Sequence, residues 1–139
     1  MSLENISAQI SSIHSQINGL NQSLQIKREQ FNRLIKCEQE YHHMIGSLES
    51  NYSSIRQPEL SGETWTGSNA DEFRRIREQE IIQSFKDILD VQSNQIESRL
   101  SDKINQLRME VGALESQISY QRSRLYNLQS ERRTLIANG

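Results

Sequence analysis

The sequence predicts an all-α protein, an antiparallel two-helix hairpin of coiled-coil type with a Trp-x-Gly turn, open to inclusion in a larger helical bundle. Three observations predict it. Apolar residues repeat in heptads in both halves of the chain, the only proline, Pro58, lies between those halves, and Gly62 and Gly67 stand close to it. The expected layout is one helical-hairpin domain over residues 1–139, with helix one at about 3–55, a turn at about 56–67 and helix two at about 68–136.

Helix one rests on sixteen positions that step from Leu3 to Ile55 in three-four alternation, fourteen of them apolar or tyrosyl, including Ile6, Ile10, Ile13, Ile17, Leu20 and Leu24. That spacing lines one side of a helix and suits it to meet another. Helix two repeats the pattern at Ile104, Leu107, Val111, Leu114, Ile118, Leu125, Leu128 and Leu135, with Gln121 and Arg132 as polar interruptions.

In an antiparallel hairpin, facing seam positions have residue numbers that add to a constant. A total of 124 aligns six apolar layers, from Ile6 with Ile118 to Leu24 with Leu100, and centres the turn on Gly62. It also sets Lys27 opposite Glu97, a polar pair suited to locking register more than to adding stability. About sixteen residues of helix two then extend past helix one, roughly 24 Å at 1.5 Å per residue. Leu125, Leu128, Leu135 and Ile136 lie on that overhang. Each would forgo on the order of 1.5–3 kcal/mol of burial in water, so a partner is expected to cover them.

Towards the turn the heptads slip. Ile82 facing Tyr41 and Leu89 facing Leu34 favour a total near 123, and Ile96, Leu100 and Ile104 are spaced by four and four, which reads as a stutter. Ile81 and Ile88 beside Ile82, Phe85 and Leu89 make a stripe wider than one facing helix covers.

A hydrophobic content of 34% and a net charge of −2 imply a thin core and a mixed surface, without the basic excess that nucleic acid or a polybasic membrane anchor would require. Residues 1–13 contain no Lys or Arg and no continuous apolar core, so no Sec signal is expected, and no run reaches the ~20 apolar residues of a membrane span. The expected location is the cytoplasm, with export alongside a partner by a Sec-independent route. Cys37 is the single cysteine, one place off the seam, and is expected to be a partly buried structural thiol. Non-seam positions from Ser7 to Gln25 and from Ser116 to Ser130 are mainly Ser, Gln and Asn, which enter a bundle at lower desolvation cost than charged side chains.

At the turn, Ser68 followed by Asp71 reads as a capping-box-like start of helix two, with Asp71 and Glu72 at the positive end of its dipole. Gly67 permits left-handed backbone there. Trp65 is expected to fold onto the helix ends against Ala70 and Phe73.

The segment from Pro58 to Phe73, with Pro-x-Leu ahead of Trp65-Thr66-Gly67 and Ala70 and Phe73 after it, resembles the turn of the WXG superfamily of type VII secretion proteins. The length of the chain is similar to that of the longer, YwqH-like branch, associated with LXG toxins of Gram-positive bacteria. Residue-level similarity is confined to about sixteen turn positions. The resemblance implies a turn motif of Trp65, Gly67, Ala70 and Phe73. It also implies partners: the helical N-terminal domain of an LXG toxin, a second small helical protein, and the type VII secretion machinery. The family's export signal, Tyr followed four residues later by Asp or Glu, has no counterpart, because Tyr120 leads to Arg124 and Tyr126 to Ser130. That argues against a directly secreted effector.

No other chemistry competes. His42 and His43 are adjacent and diverge by about 100° on a helix, so they do not chelate as an i, i+4 pair would. Arg74, Arg75 and Arg77 make the start of helix two basic, and Arg132 with Arg133 is expected to complement the dipole at its end. There is no phosphate loop, no metal-ligand spacing and no nucleophile with an evident base, so no enzyme activity, cofactor or catalytic residue is expected. The function expected is that of a targeting partner of an LXG toxin, with Phe85, Ile88, Leu89, Leu125, Leu128 and Leu135 as its contacts. The alternatives are a structural coiled-coil protein that self-associates, as a homodimer, or a directly secreted WXG-type effector.

Overall fold

The computed structural model describes residues 2–55 and 67–139, and all regular structure among them is helical. The first arm is one helix, α1, Leu3–Ile55. Ser2 caps it: its Oγ accepts the Asn5 amide at 3.1 Å, its carbonyl accepts the Ile6 amide at 3.1 Å, and Glu4 sits in the first turn. The second arm is a continuous helical run of α2 (Ser68–Arg75), a π-helical stretch (Ile76–Ile82), α3 (Gln83–Asp87), a second π stretch (Ile88–Gln92) and α4 (Ser93–Asn138). The protein is an all-α helical hairpin. It divides into two compact units, one of Met1–Arg33 with Ile104–Gly139 and one of Leu34–Lys103.

In the first unit, Ile6, Ile10, Ile13 and Ile17 form one buried cluster with Leu128, and Leu125 and Leu135 pack against it. Further along, Lys27 Nζ meets Glu110 Oε2 at 2.9 Å, Arg28 meets Glu115 at 2.9 Å, and the Arg108 guanidinium lies over the Phe31 ring at 5.7 Å. In the second unit, the Tyr41 hydroxyl donates to the Ser93 carbonyl at 3.3 Å, His42 lies 3.6 Å from Glu97, and the Tyr52 and Phe85 rings stack at 6.2 Å. The arms of each unit are antiparallel.

These contacts overturn the expected register. The pairs 27/110 and 52/85 add to 137, and 31/108 and 42/97 to 139, so the arms align about a total of 138 rather than 124. The difference of fourteen is two heptads, which maps every seam position onto another seam position. Pattern matching alone is blind to it. The adopted alignment brings Leu125, Leu128 and Leu135 under the start of α1, and Leu128, which is buried there, gains on the order of 1.5–3 kcal/mol that an overhang would forgo. No overhang remains at the C-terminal end of the second arm, although Ile136 stays 57% exposed. Lys27 finds Glu110 instead of Glu97, and Glu97 is taken by His42.

The slip towards the turn has a different carrier from the stutter expected. Buried or half-buried second-arm positions run Arg77, Phe85, Ser93, Leu100, Leu107, with steps of eight, eight, seven and seven. Each step of eight crosses one π stretch. A π hydrogen bond spans five residues rather than four, so a π turn absorbs one extra residue and the next α turn resumes the seam in phase. Ile96 falls outside that seam and is 43% exposed.

Candidate interaction surface

Of the turn motif, Trp65 lies outside the described residues, as do Pro58 and Gly62. Gly67 is the N-cap of α2, with φ 106° and ψ 175°, and its carbonyl accepts the Asp71 amide at 3.0 Å. The capping box expected at Ser68 does not form. No side chain caps the helix, Ser68 is already its first residue, and the Asp71 carboxylate turns to Arg74 at 3.2 Å. Ala70 is fully buried, whereas Phe73 is 45% exposed beneath the Arg77 guanidinium, 5.7 Å from its ring centre.

The residues expected to meet a partner separate into two groups. Leu128 is buried and Leu125 and Leu135 are half-buried in the hairpin's own core, so the overhang that assigned them to a partner does not exist. Phe85 stacks on Tyr52 and Leu89 is half-buried. Ile88 stays 38% exposed. Ile81 accompanies it at 44%, while Ile82, the next residue, is buried. Ile96, expected in the seam with Leu100 and Ile104, is exposed too, as is Val91, which lies in the second π stretch off the seven-residue grid.

Beside Ile88 runs a groove of ≈ 600 Å³ that includes Gln79, Glu80, Gln83, Asp87 and Gln92. Arg75 neutralises part of its edge, reaching Glu72 at 2.8 Å and Glu80 at 3.5 Å, and the Glu72 hydrogen bond and charge hold the Arg75 guanidinium above its ordinary pKa. A second groove, in the first unit, has walls of uncharged side chains: Gln16, Gly19, Leu20 and Ser23 on α1, and Gln117, Tyr120 and Gln121 on α4.

Two other expectations are corrected. Cys37 is exposed rather than partly buried, since the position next to the seam already faces water in a two-helix pair. Helix α4 runs on to Asn138, so Arg132 and Arg133 lie outside its last turn, where a dipole contact would act. Among the described residues, no three His, Cys, Asp or Glu side chains come together as a metal site, and no helix is long and apolar enough to cross a membrane. Compared with known proteins, the chain matches no family model, no curated protein and no solved structure.

Proposed function

We propose that this chain is a small helical partner of an LXG-type toxin, binding the toxin's helical N-terminal domain, alone or with a second small helical protein, to promote type VII secretion. The observation that carries the reading is the sequence Trp65-Thr66-Gly67 with Ala70 and Phe73, set between two long heptad arms. Support also comes from the positive φ at Gly67, a backbone that favours glycine there, and from the full burial of Ala70. The partly exposed apolar side chains Ile81, Ile88 and Ile96 provide area for a third helix.

Co-expression with the N-terminal domain of an LXG toxin encoded beside it tests the proposal. The expected result is a stable complex through affinity and size-exclusion steps, and loss of toxin export when this chain is deleted. A toxin domain that is exported equally well without it would refute the reading. The uncharged groove between Gly19 and Tyr120 favours a second reading, self-association into a four-helix bundle. Light scattering on the isolated chain would then give twice the monomer mass of 16.2 kDa.

A further inference from the structure

Four exposed apolar residues on the second arm, Phe73, Ile81, Ile88 and Ile96, follow one another at steps of eight, seven and eight. The step of seven runs chiefly through α3, and each step of eight takes in a π stretch. Eight residues of pure α-helix would turn the last side chain about 80° away from the first. With one π turn in the path the extra residue is absorbed and the side chains stay in line. The π stretches therefore hold a second apolar column in register, distinct from the seam that faces the first arm.

The residue preceding each member of the column stands about 100° round the helix. Those residues are Glu72, Glu80, Asp87 and Gln95, so three carboxylates flank the column along one edge. Glu80, Asp87 and Ile88 border the same groove. Arg75 is shared between Glu72 and Glu80, and among the described residues no Lys or Arg forms an ion pair with Asp87. Lys86, about 200° round from Ile88, belongs to the opposite side.

We infer that this column is the docking face for an amphipathic helix of the partner protein, its apolar ridge laid on Ile81, Ile88 and Ile96 and a row of Lys or Arg along the Glu80 and Asp87 edge. The identity of that partner as an LXG domain rests on the function proposed above; the chemistry of its helix does not. From Phe73 to Ile96 is a rise of twenty-three residue steps, roughly 35 Å, which asks for a helix of about six turns.

The full chain is titrated with two designed amphipathic peptides of about six turns, alike in their leucine ridge but flanked by Lys in one and Glu in the other, and with an LXG N-terminal domain. The Lys-flanked peptide is expected to bind about tenfold more tightly than the Glu-flanked one, with an advantage that shrinks as salt rises. The double variant Ile81→Ser/Ile88→Ser is expected to weaken both the peptide and the toxin domain at least about tenfold, and Asp87→Lys to erase the preference for Lys. Helicity should stay unchanged, and Met109→Ser, at a 75% exposed residue outside the column, should bind as the parent does. Equal binding of the two peptides, or full binding by the double variant, would overturn the inference. So would a homodimer that the double variant converts to monomer, because the occupant would then be a second copy. Peptide binding without toxin binding would refute the proposed function and leave the docking face standing.

Discussion

Lys27 Nζ lies 2.9 Å from Glu110 Oε2, across the seam of the first unit. The contact is an ion pair rather than an aligned hydrogen bond, and Glu110 Oε1 is occupied by the Gln106 amide at 3.1 Å. Both side chains are about a third exposed (36% and 34%), so solvent screens the attraction. Its value lies in marking register: Lys27 could have met Glu97, thirteen residues before Glu110, and does not.

Charge exchange reports that choice. Lys27→Glu should lower stability by less than about 1 kcal/mol, and adding Glu110→Lys should restore most of the loss. Lys27→Glu combined with Glu97→Lys should restore none. Thermal melts of the three variants decide it, and rescue by the Glu97 exchange would return the alignment to a total of 124.

Leu128→Ala removes a side chain that is only 9% exposed within the isoleucine cluster. A cost of about 2 kcal/mol is expected, the low end for a large-to-small core change because a thin core relaxes readily. Urea unfolding followed by circular dichroism measures it. A neutral result would mean that the end of α4 is not held by the start of α1.

The π stretch at Ile88–Gln92 should tolerate losing a residue. Deleting Val91 converts the wide turn to an α turn and keeps Phe85 and Ser93 in the seam, at a spacing of seven. Deleting Gln106 from α4 has no spare residue to absorb it and rotates Leu107, Ile118 and Leu128 by about 100° relative to the preceding seam. The first variant should melt within a few degrees of the parent and the second far below it. Similar losses in both would show that the π turn is not the slack in the arm.

Gly67 takes φ 106° with open space around the position of a Cβ, so a substitution there meets backbone strain and no steric clash. Gly67→Ala should destabilise by about 1 kcal/mol or more. An unchanged melting temperature would show that the left-handed start of α2 contributes little.

Cys37, exposed on α1, should react with a maleimide in the folded protein within about tenfold of its rate in denaturant. Strong protection in the native state would point to a cover over that face.

Much of the hairpin was legible from the repeats. Leu3, Ile6, Ile10 and their successors declared a long seam, because periodicity is a local property that side-chain order records directly, whereas the facing expected of Ile82 and Leu89 did not hold, since Tyr41 reaches Ser93 instead of Ile82. Other features were not legible from the sequence. A capping residue was read at Ser68 because its side chain suits the role, yet the helix begins one residue earlier, from Gly67, whose backbone alone can turn that way.

From the sequence alone came the class of fold, the two arms, the wide stripe about Ile81 and Ile88, and the loss of strict heptads towards the turn. Only the tertiary structure decided which heptad faces which, that two π stretches carry the break in the heptads, and that Leu125, Leu128 and Leu135 close their own core. The reason is physical: a seven-residue repeat is unchanged by a shift of fourteen, so the local pattern allows both alignments with nearly equal merit. The alignment adopted is the one that packs Leu125, Leu128 and Leu135 against Ile6, Ile10, Ile13 and Ile17, a contact between residues far apart in the chain that no single segment of it records.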